Sequence, residues 1–284
     1  MSDVARAYRS ALYIPGSKER ALEKAKGLAC DAILFDLEDA VTPDEKANSR
    51  ALLAKMIAEG DYGNRAKIVR VNGFDTDWGR DDVAAMVGLP IDGILLPKVN
   101  SRADIEALAA AIPDVPLWAM METPLGMLNA AEIASHPRMA GFVMGTNDLV
   151  KELNCRTPDD RAPLMASLQL CLLAARAYGL IALDGVYNKY LDEDGLRAEC
   201  EQGRDMGFDG KSLIHPAQLA ISNEAFAPSE AEIELARRQI AAFEEVEASG
   251  QGVAVVDGKI VENLHVATAK SILAKAEAIA ASAS

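Results

Sequence analysis

Residues 116–126 read PLWAMMETPLG. An apolar run reaches Met121, and Glu122 follows at once, ahead of a Thr123-Pro124 pair. A buried strand that ends on a carboxylate before helix punctuation is the carboxyl end of a βα unit, where such folds place their chemistry.

The same pattern recurs on both sides. ALYIPG (11–16), AILFDLED (32–39), KIVRVNG (67–73) and DGILLPK (92–98) precede it. GFVMGTND (141–148), LIALDG (180–185) and FDGKSLIHP (208–216) follow it. Helix-like stretches lie between: SKERALEKAKGL (17–28) with Ser17 as its expected cap, PDEKANSRALLAKMIAEG (43–60), SRADIEALAAAI (101–112) and DRAPLMASLQLCLLAARAYG (160–179). Strand ends spaced by about 25 to 35 residues match the size of a βα unit. Eight such units predict an α/β fold, a (β/α)8 TIM barrel over residues 1–227. A doubly wound sheet is the alternative, without a GxGxxG fingerprint after the first strand to support dinucleotide binding.

After the eighth strand the pattern changes. Residues 229–250 read as a charged amphipathic helix, 251–265 as a short hairpin around Asp257-Gly258, and 266–281 as a final helix. Residues 228–284 are therefore expected to form an extension, an arm or lid, and not a separate domain.

The chain of 284 residues is half apolar and carries a formal charge of −14. That length suffices for one large core. The charge argues against nonspecific nucleic-acid binding and against an anionic membrane surface, while leaving room for a local basic pocket. No run approaches eighteen unbroken apolar residues and the amino terminus lacks a signal-like core, so a soluble, cytoplasmic protein is expected. The four cysteines form no CxxC pair; Cys30 and Cys171 read as buried thiols in a reducing compartment.

The strand ends supply the candidate site. They carry Asp36, Glu38 and Asp39, Arg70 and Asn72, Lys98, Glu122, Asn147 and Asp148, Asp184, and Lys211. Glu122 and Asp148 end neighbouring strands, and two converging carboxylates call for a shared proton or a cation. With water and substrate oxygens available, Mg²⁺ is the natural cation, Mn²⁺ a possible substitute. The three histidines lack ligand spacing, which argues against zinc. Glu122 can alternatively cap the next helix or pair with Arg70, and Asp148 can be an ordinary helix start. Arg70 suits a substrate carboxylate, or an internal salt bridge with Glu38 or Asp39. The basic cluster Lys18, Arg20, Lys24 and Lys26 at a helix start favours phosphate, or is a solvated helix face. His215 is expected to hold the turn at Pro216, and Met120, Met121, Met127 and Met144 to be core or pocket wall.

LYIPGS, FDLEDAVTPDEK, VRVNG, LLPKV, METPLG, GTNDL and KSLIHPAQ, in this order over nearly the whole chain, resemble the HpcH/HpaI aldolase and citrate lyase beta-subunit family. The tail GQGVAVVDGKIVENLH (250–265) resembles the branch acting on malyl-CoA. The resemblance implies a (β/α)8 barrel with a carboxyl-terminal extension, and Mg²⁺ held by Glu122 and Asp148. It implies Arg70 orienting the acid end of the substrate, with Asp36 and Glu38 in support. Its coenzyme A site maps to the first strand–helix junction, here Tyr13, Ser17, Lys18, Arg20 and Lys24. It also implies a homotrimer or homohexamer whose extension closes over a neighbouring subunit's site.

Lyases of the family carry an aspartate in a motif like G-x-M-I-D-x-P. Here the stretch is GKIVENL (258–264), with Glu262 at that position and Leu264 in place of proline. The implied reaction is hydrolysis of (3S)-malyl-CoA to malate and coenzyme A, with Glu262 activating water. The alternatives are carbon–carbon cleavage of malyl-CoA, β-methylmalyl-CoA or citramalyl-CoA, a citrate lyase beta-like subunit, or a noncatalytic acyl-CoA-binding protein.

Overall fold

The computed structural model describes residues 6–248 and 253–282. The amino-terminal reading over residues 1–5, the junction of the extension's helix and hairpin at 249–252, and residues 283–284 lie outside the described residues. By its contacts the chain forms two compact units: Tyr8–Phe226, and Ala227–Ser284 together with Met1–Ala7.

The first unit contains eight short parallel strands, each coinciding with one of the apolar runs. They are β1 (Ser10–Pro15), β2 (Ala32–Asp36), β3 (Ala66–Arg70), β4 (Gly93–Leu96), β5 (Leu117–Met121), β6 (Met139–Met144), β7 (Ile181–Asp184) and β8 (Gly210–Leu213). Each pairs with the next, and β8 pairs back onto β1 with Ser10 opposite Lys211, closing the barrel. Closure rules out the doubly wound alternative, which would leave two open edges.

Strand alternation separates two cores. Inward positions Ala11, Ala32, Leu34, Ile68, Leu95, Trp118, Met120, Val143 and Leu183 fill the barrel. Outward positions such as Ile33, Phe35, Val69 and Ile94 pack with the helices. Trp118 is the largest fully buried side chain. It fits because its strand neighbours present Gly93 and Gly141; a Cβ at Gly93 would stand 2.7 Å from the indole, and one at Gly141 would also clash with the ring.

The helices follow their punctuation, with local differences. A 3₁₀ turn at Pro43–Glu45 leads into the helix Lys46–Glu59, which stops at Gly60. Ser17 does not cap the first helix: Glu19–Ala25 starts from Lys18, without a side-chain cap. His215 behaves as expected, its Nδ1 accepting from Ala217 N at 3.2 Å ahead of the Pro216 turn. All four cysteines are free, with Cys30, Cys171 and Cys200 buried. Burial pushes the Cys30 thiol up to about 11 and the Cys171 thiol up to about 12.

The second unit holds a helix (Glu230–Ala248), a hairpin of β9 (Ala254–Val256) and β10 (Lys259–Val261), and a helix (Asn263–Ser282). Phe243, Val256, Val261 and Val266 form its small core. Arg238 grips Asp257 in the hairpin turn at 2.7 and 2.9 Å. Glu262 is exposed where the last helix begins; its carbonyl accepts from His265 N, and its N–H donates to His265 Nδ1 at 3.0 Å.

Candidate active site

A pocket of about 380 Å³ opens at the carboxyl ends of the strands. Its lining includes Tyr13, Asp36, Arg70, Glu122, Gly145 and Asp148. Alternation explains the selection: Asp36 continues the inward series Ala32 and Leu34, and Arg70 continues Ile68. Asp184 follows inward Leu183 and therefore faces the helices.

Asp184 and Lys211 thus depart from the expectation that every strand-end polar residue joins the site. Both are fully buried, and Lys211 Nζ contacts Asp184 Oδ2 at 3.0 Å and Glu199 Oε1 at 2.7 Å. Arg161 completes the cluster, its Nη1 reaching the Asp184 carboxylate at 2.8 and 2.9 Å. None of these three lines the pocket.

Arg70 is held by three carboxylates. Nε and Nη2 engage Asp36 at 2.8 and 2.7 Å, and Nη1 engages Glu38 at 2.8 Å and Asp39 at 3.3 Å. Its guanidinium also lies 4.9 Å from the Tyr13 ring centre. The internal salt bridge weighed for Arg70 is therefore present, with Asp36 as its tightest partner. Most of the N–H donors are engaged, which limits what Arg70 can offer a ligand without displacing Asp39, the exposed member of the trio.

Glu122 neither caps the following helix nor engages Arg70 as a direct partner. Thr123 caps instead, its hydroxyl accepting from Gly126 N at 3.0 Å. Glu122 Oε1 accepts from Lys98 N at 2.7 Å. Burial pushes the Glu122 carboxyl up to about 8; the negative charges of Glu38 and Asp148 add to this, and the Lys98 N–H opposes it. Asp148 is half-buried and sits not on a strand end but in the first turn of the helix Thr146–Leu153.

This donor set suits a hard divalent cation. Asp36, Asp39, Glu122 and Asp148 line one pocket against the single guanidinium of Arg70. Glu122 and Asp148 lie close enough for the charge of Asp148 to act on Glu122, and two such carboxylates leave coordination positions to water and ligand, the arrangement Mg²⁺ favours. The described residues show no group of three or more His, Cys, Asp or Glu placed as a ready metal cage.

The residues expected at the coenzyme A site separate. Tyr13 lines the pocket, its hydroxyl 3.5 Å from Met120 Sδ. Lys18, Arg20 and Lys24 are exposed, Ser17 is half-buried, and none of the four lines the pocket. Glu262 belongs to the second unit. Two residues given no role from sequence matter here. Lys98 bonds both Glu122 and, through its ammonium, Glu38 at 3.0 Å. A Cβ at Gly145 would collide with the Glu122 side chain.

The chain matches the HpcH/HpaI aldolase/citrate lyase family over residues 9–216. It is 71% identical to a (3S)-malyl-CoA thioesterase of Cereibacter sphaeroides over 281 residues, covering 99% of each chain. It is 36% identical to the citrate lyase subunit beta of Leuconostoc mesenteroides subsp. cremoris, covering 95% of this chain and 93% of that one. Among solved structures it resembles the protein CitE from Mycobacterium tuberculosis in complex with magnesium, acetoacetate and coenzyme A. That likeness has a TM-score of 0.81 and 30% identity, over 96% of this chain and 99% of the other.

Proposed function

The chain belongs to the HpcH/HpaI aldolase/citrate lyase family, and on that premise we propose that it hydrolyses (3S)-malyl-CoA to malate and coenzyme A in a Mg²⁺-dependent reaction. The full-length 71% identity to a (3S)-malyl-CoA thioesterase carries this reading. The acidic pocket around Arg70 supports it.

Glu122 and Asp148 hold the cation, and Mn²⁺ suits the same oxygen donors. When bound, Mg²⁺ supplies positive charge and Lewis acidity toward the malyl carboxylate and hydroxyl. Arg70, fixed by Asp36 and Glu38, orients the acid end of the substrate and exchanges its contact with Asp39 for the ligand. Tyr13 walls the pocket near the acyl group. Ser17, Lys18, Arg20 and Lys24 meet the phosphate-bearing end of coenzyme A along the surface.

Glu262, contributed by a neighbouring subunit of a homotrimer or homohexamer, accepts a proton from water as its oxygen attacks the thioester carbonyl carbon. The C–S bond then breaks. The protonated Glu262 gives its proton to the departing sulfur to make the thiol of coenzyme A, and the new malate carboxyl releases the remaining water proton to solvent and leaves as a carboxylate. This assigns Glu262, Arg70, Asp36 and Glu38 to catalysis and its support. A soluble, cytoplasmic location fits the free thiols; among the described residues no helix is long and apolar enough to cross a membrane.

Carbon–carbon cleavage is the second reading, favoured by the 36% identity to a citrate lyase subunit beta. Purified protein with (3S)-malyl-CoA and Mg²⁺ separates the two. Malate and free thiol without glyoxylate are expected; acetyl-CoA with glyoxylate would make the protein a lyase. Glu262→Ala should abolish either reaction while sparing substrate binding, and full activity in that variant would remove Glu262 from the mechanism.

A further inference from the structure

We infer that Lys46 is a positioning residue for the active site, clamping the Leu37–Glu38 peptide so that Asp36, Glu38 and Asp39 present their carboxylates to Arg70. The choice of malate, Mg²⁺ and malyl-CoA as probes rests on the proposed function; the contacts that carry the inference do not.

Lys46 is buried at the start of the helix Lys46–Glu59. Lysine is almost never fully buried unless paired. Here the ammonium meets three neutral acceptors: Leu37 O at 2.8 Å, Glu38 O at 2.6 Å and Asn72 Oδ1 at 2.8 Å. The Trp78 ring covers it at 5.3 Å. All three ammonium donors are used, and none of these partners is a carboxylate. Burial costs the ammonium its hydration and lowers its pKa; the three hydrogen bonds and the attraction of the nearby Asp36, Glu38, Asp82 and Asp39 charges offset that cost, which ties Lys46 to this acidic segment.

The segment runs from Asp36 to Asp39. From above, Asp36 accepts from Glu38 N at 2.9 Å and Ala40 N at 3.0 Å. From below, Lys46 holds the carbonyls of residues 37 and 38, and Asn72 Nδ2 adds a second donor to Leu37 O at 2.8 Å. Asn72 is itself anchored to Asp82 at 2.6 Å, and Asp82 to Arg50 at 2.8 Å. All three carboxylates on Arg70 come from this clamped segment. Glu38 also holds Lys98, whose N–H holds Glu122. Removing the ammonium leaves Asn72 Oδ1 without its donor and takes one of two donors each from Leu37 O, which keeps Asn72 Nδ2, and Glu38 O, which keeps Val41 N, so the 37–38 peptide is held less firmly. Arg70 and Lys98 then lose a fixed partner together.

The test compares the full chain with Lys46→Met, Lys46→Gln and Arg50→Met. Arg50→Met loosens the far end of the network without touching the 37–38 peptide, and controls for stability. Malate affinity with Mg²⁺ is read by titration calorimetry, KM and kcat on (3S)-malyl-CoA by thiol release, and folding by thermal denaturation. Lys46→Met should weaken malate binding and raise KM by about five-fold or more, with a smaller effect on kcat. Lys46→Gln should move the same way. Arg50→Met should stay within about two-fold of wild type at a comparable loss of thermal stability. Wild-type malate affinity in a folded Lys46 variant, or an equal loss in Arg50→Met, would overturn the inference. So would failure of both Lys46 variants to fold, which would make Lys46 a folding residue only. Malate affinity is read independently of turnover, so a wild-type chain inactive on malyl-CoA would defeat the functional reading alone, and the affinity ratio would still decide on Lys46.

Discussion

Lys98 donates its backbone N–H to Glu122 Oε1 at 2.7 Å from a left-handed conformation, φ 51°. A non-glycine residue there carries backbone strain of about 1 kcal/mol or more. The strain aims the N–H at the carboxylate while the side chain turns to Glu38. Lys98→Gly should therefore keep the N–H contact and Mg²⁺ affinity, and be more stable than Lys98→Ala by about 1 kcal/mol. Urea unfolding of the two variants checks this, and equal stabilities would argue against the strained conformation.

Glu122 carries a pH prediction. Its folded-state value of about 8 lies above the unfolded value, chiefly through burial. The metal-free folded state thus binds a proton more tightly than the unfolded chain, and this contribution is lost as pH rises through about 8. Glu122→Gln removes the ionising group. In a chelator it should raise the melting temperature more at about pH 8.5 than at about pH 5.5, while abolishing Mg²⁺ binding. A stabilisation that shrinks toward alkaline pH would contradict the raised value.

Gly145 makes room for the same carboxylate, since a Cβ there would meet Glu122 Cβ and Oε2. Gly145→Ala should cost about 1–3 kcal/mol of stability by overpacking. It should also weaken Mg²⁺ binding by roughly ten-fold, because the displaced ligand is the one the cation needs. Calorimetric Mg²⁺ titration reads the second effect directly.

The barrel was legible because each strand is a short apolar run closed by polar residues, and Asp36, Arg70, Glu122 and Asp148 were legible as its polar ends. What the sequence hid is parity and partners. Asp36 and Asp184 end similar runs, yet one residue of register turns the first into the pocket and the second toward the helices. Asp148 looked like a strand end, but the strand stops at Met144 and the helix begins at Thr146. Lys46 lies in a stretch that reads only as the start of a helix, and its burial depends on Asn72 and Trp78, remote in sequence. Lys98 was visible as a position, but its link to Glu122 depends on a left-handed backbone that no local pattern announced.

The outward cluster gives the sharpest separation of structure from catalysis. Burial alone would raise the Asp184 carboxyl and depress the Lys211 ammonium. Lys211 and Arg161 nevertheless hold Asp184 below the usual carboxylate range, and Asp184 and Glu199 hold Lys211 above the usual lysine range. The Asp184 contribution to stability is present above its unfolded value near about 3.9 and is lost as pH falls through the folded value. The Lys211 contribution is present below about 10.4 and is lost as pH rises through the folded value. Breaking such a buried pair by removing one partner costs about 3–5 kcal/mol. Lys211→Met should lose that much stability at neutral pH, measured by urea unfolding, because Asp184 keeps its charge with one cation fewer. Its folded fraction should retain kcat/KM within about two-fold, since Lys211 lies outside the pocket. A stable Lys211→Met protein without activity would return Lys211 to the site and overturn the outward assignment.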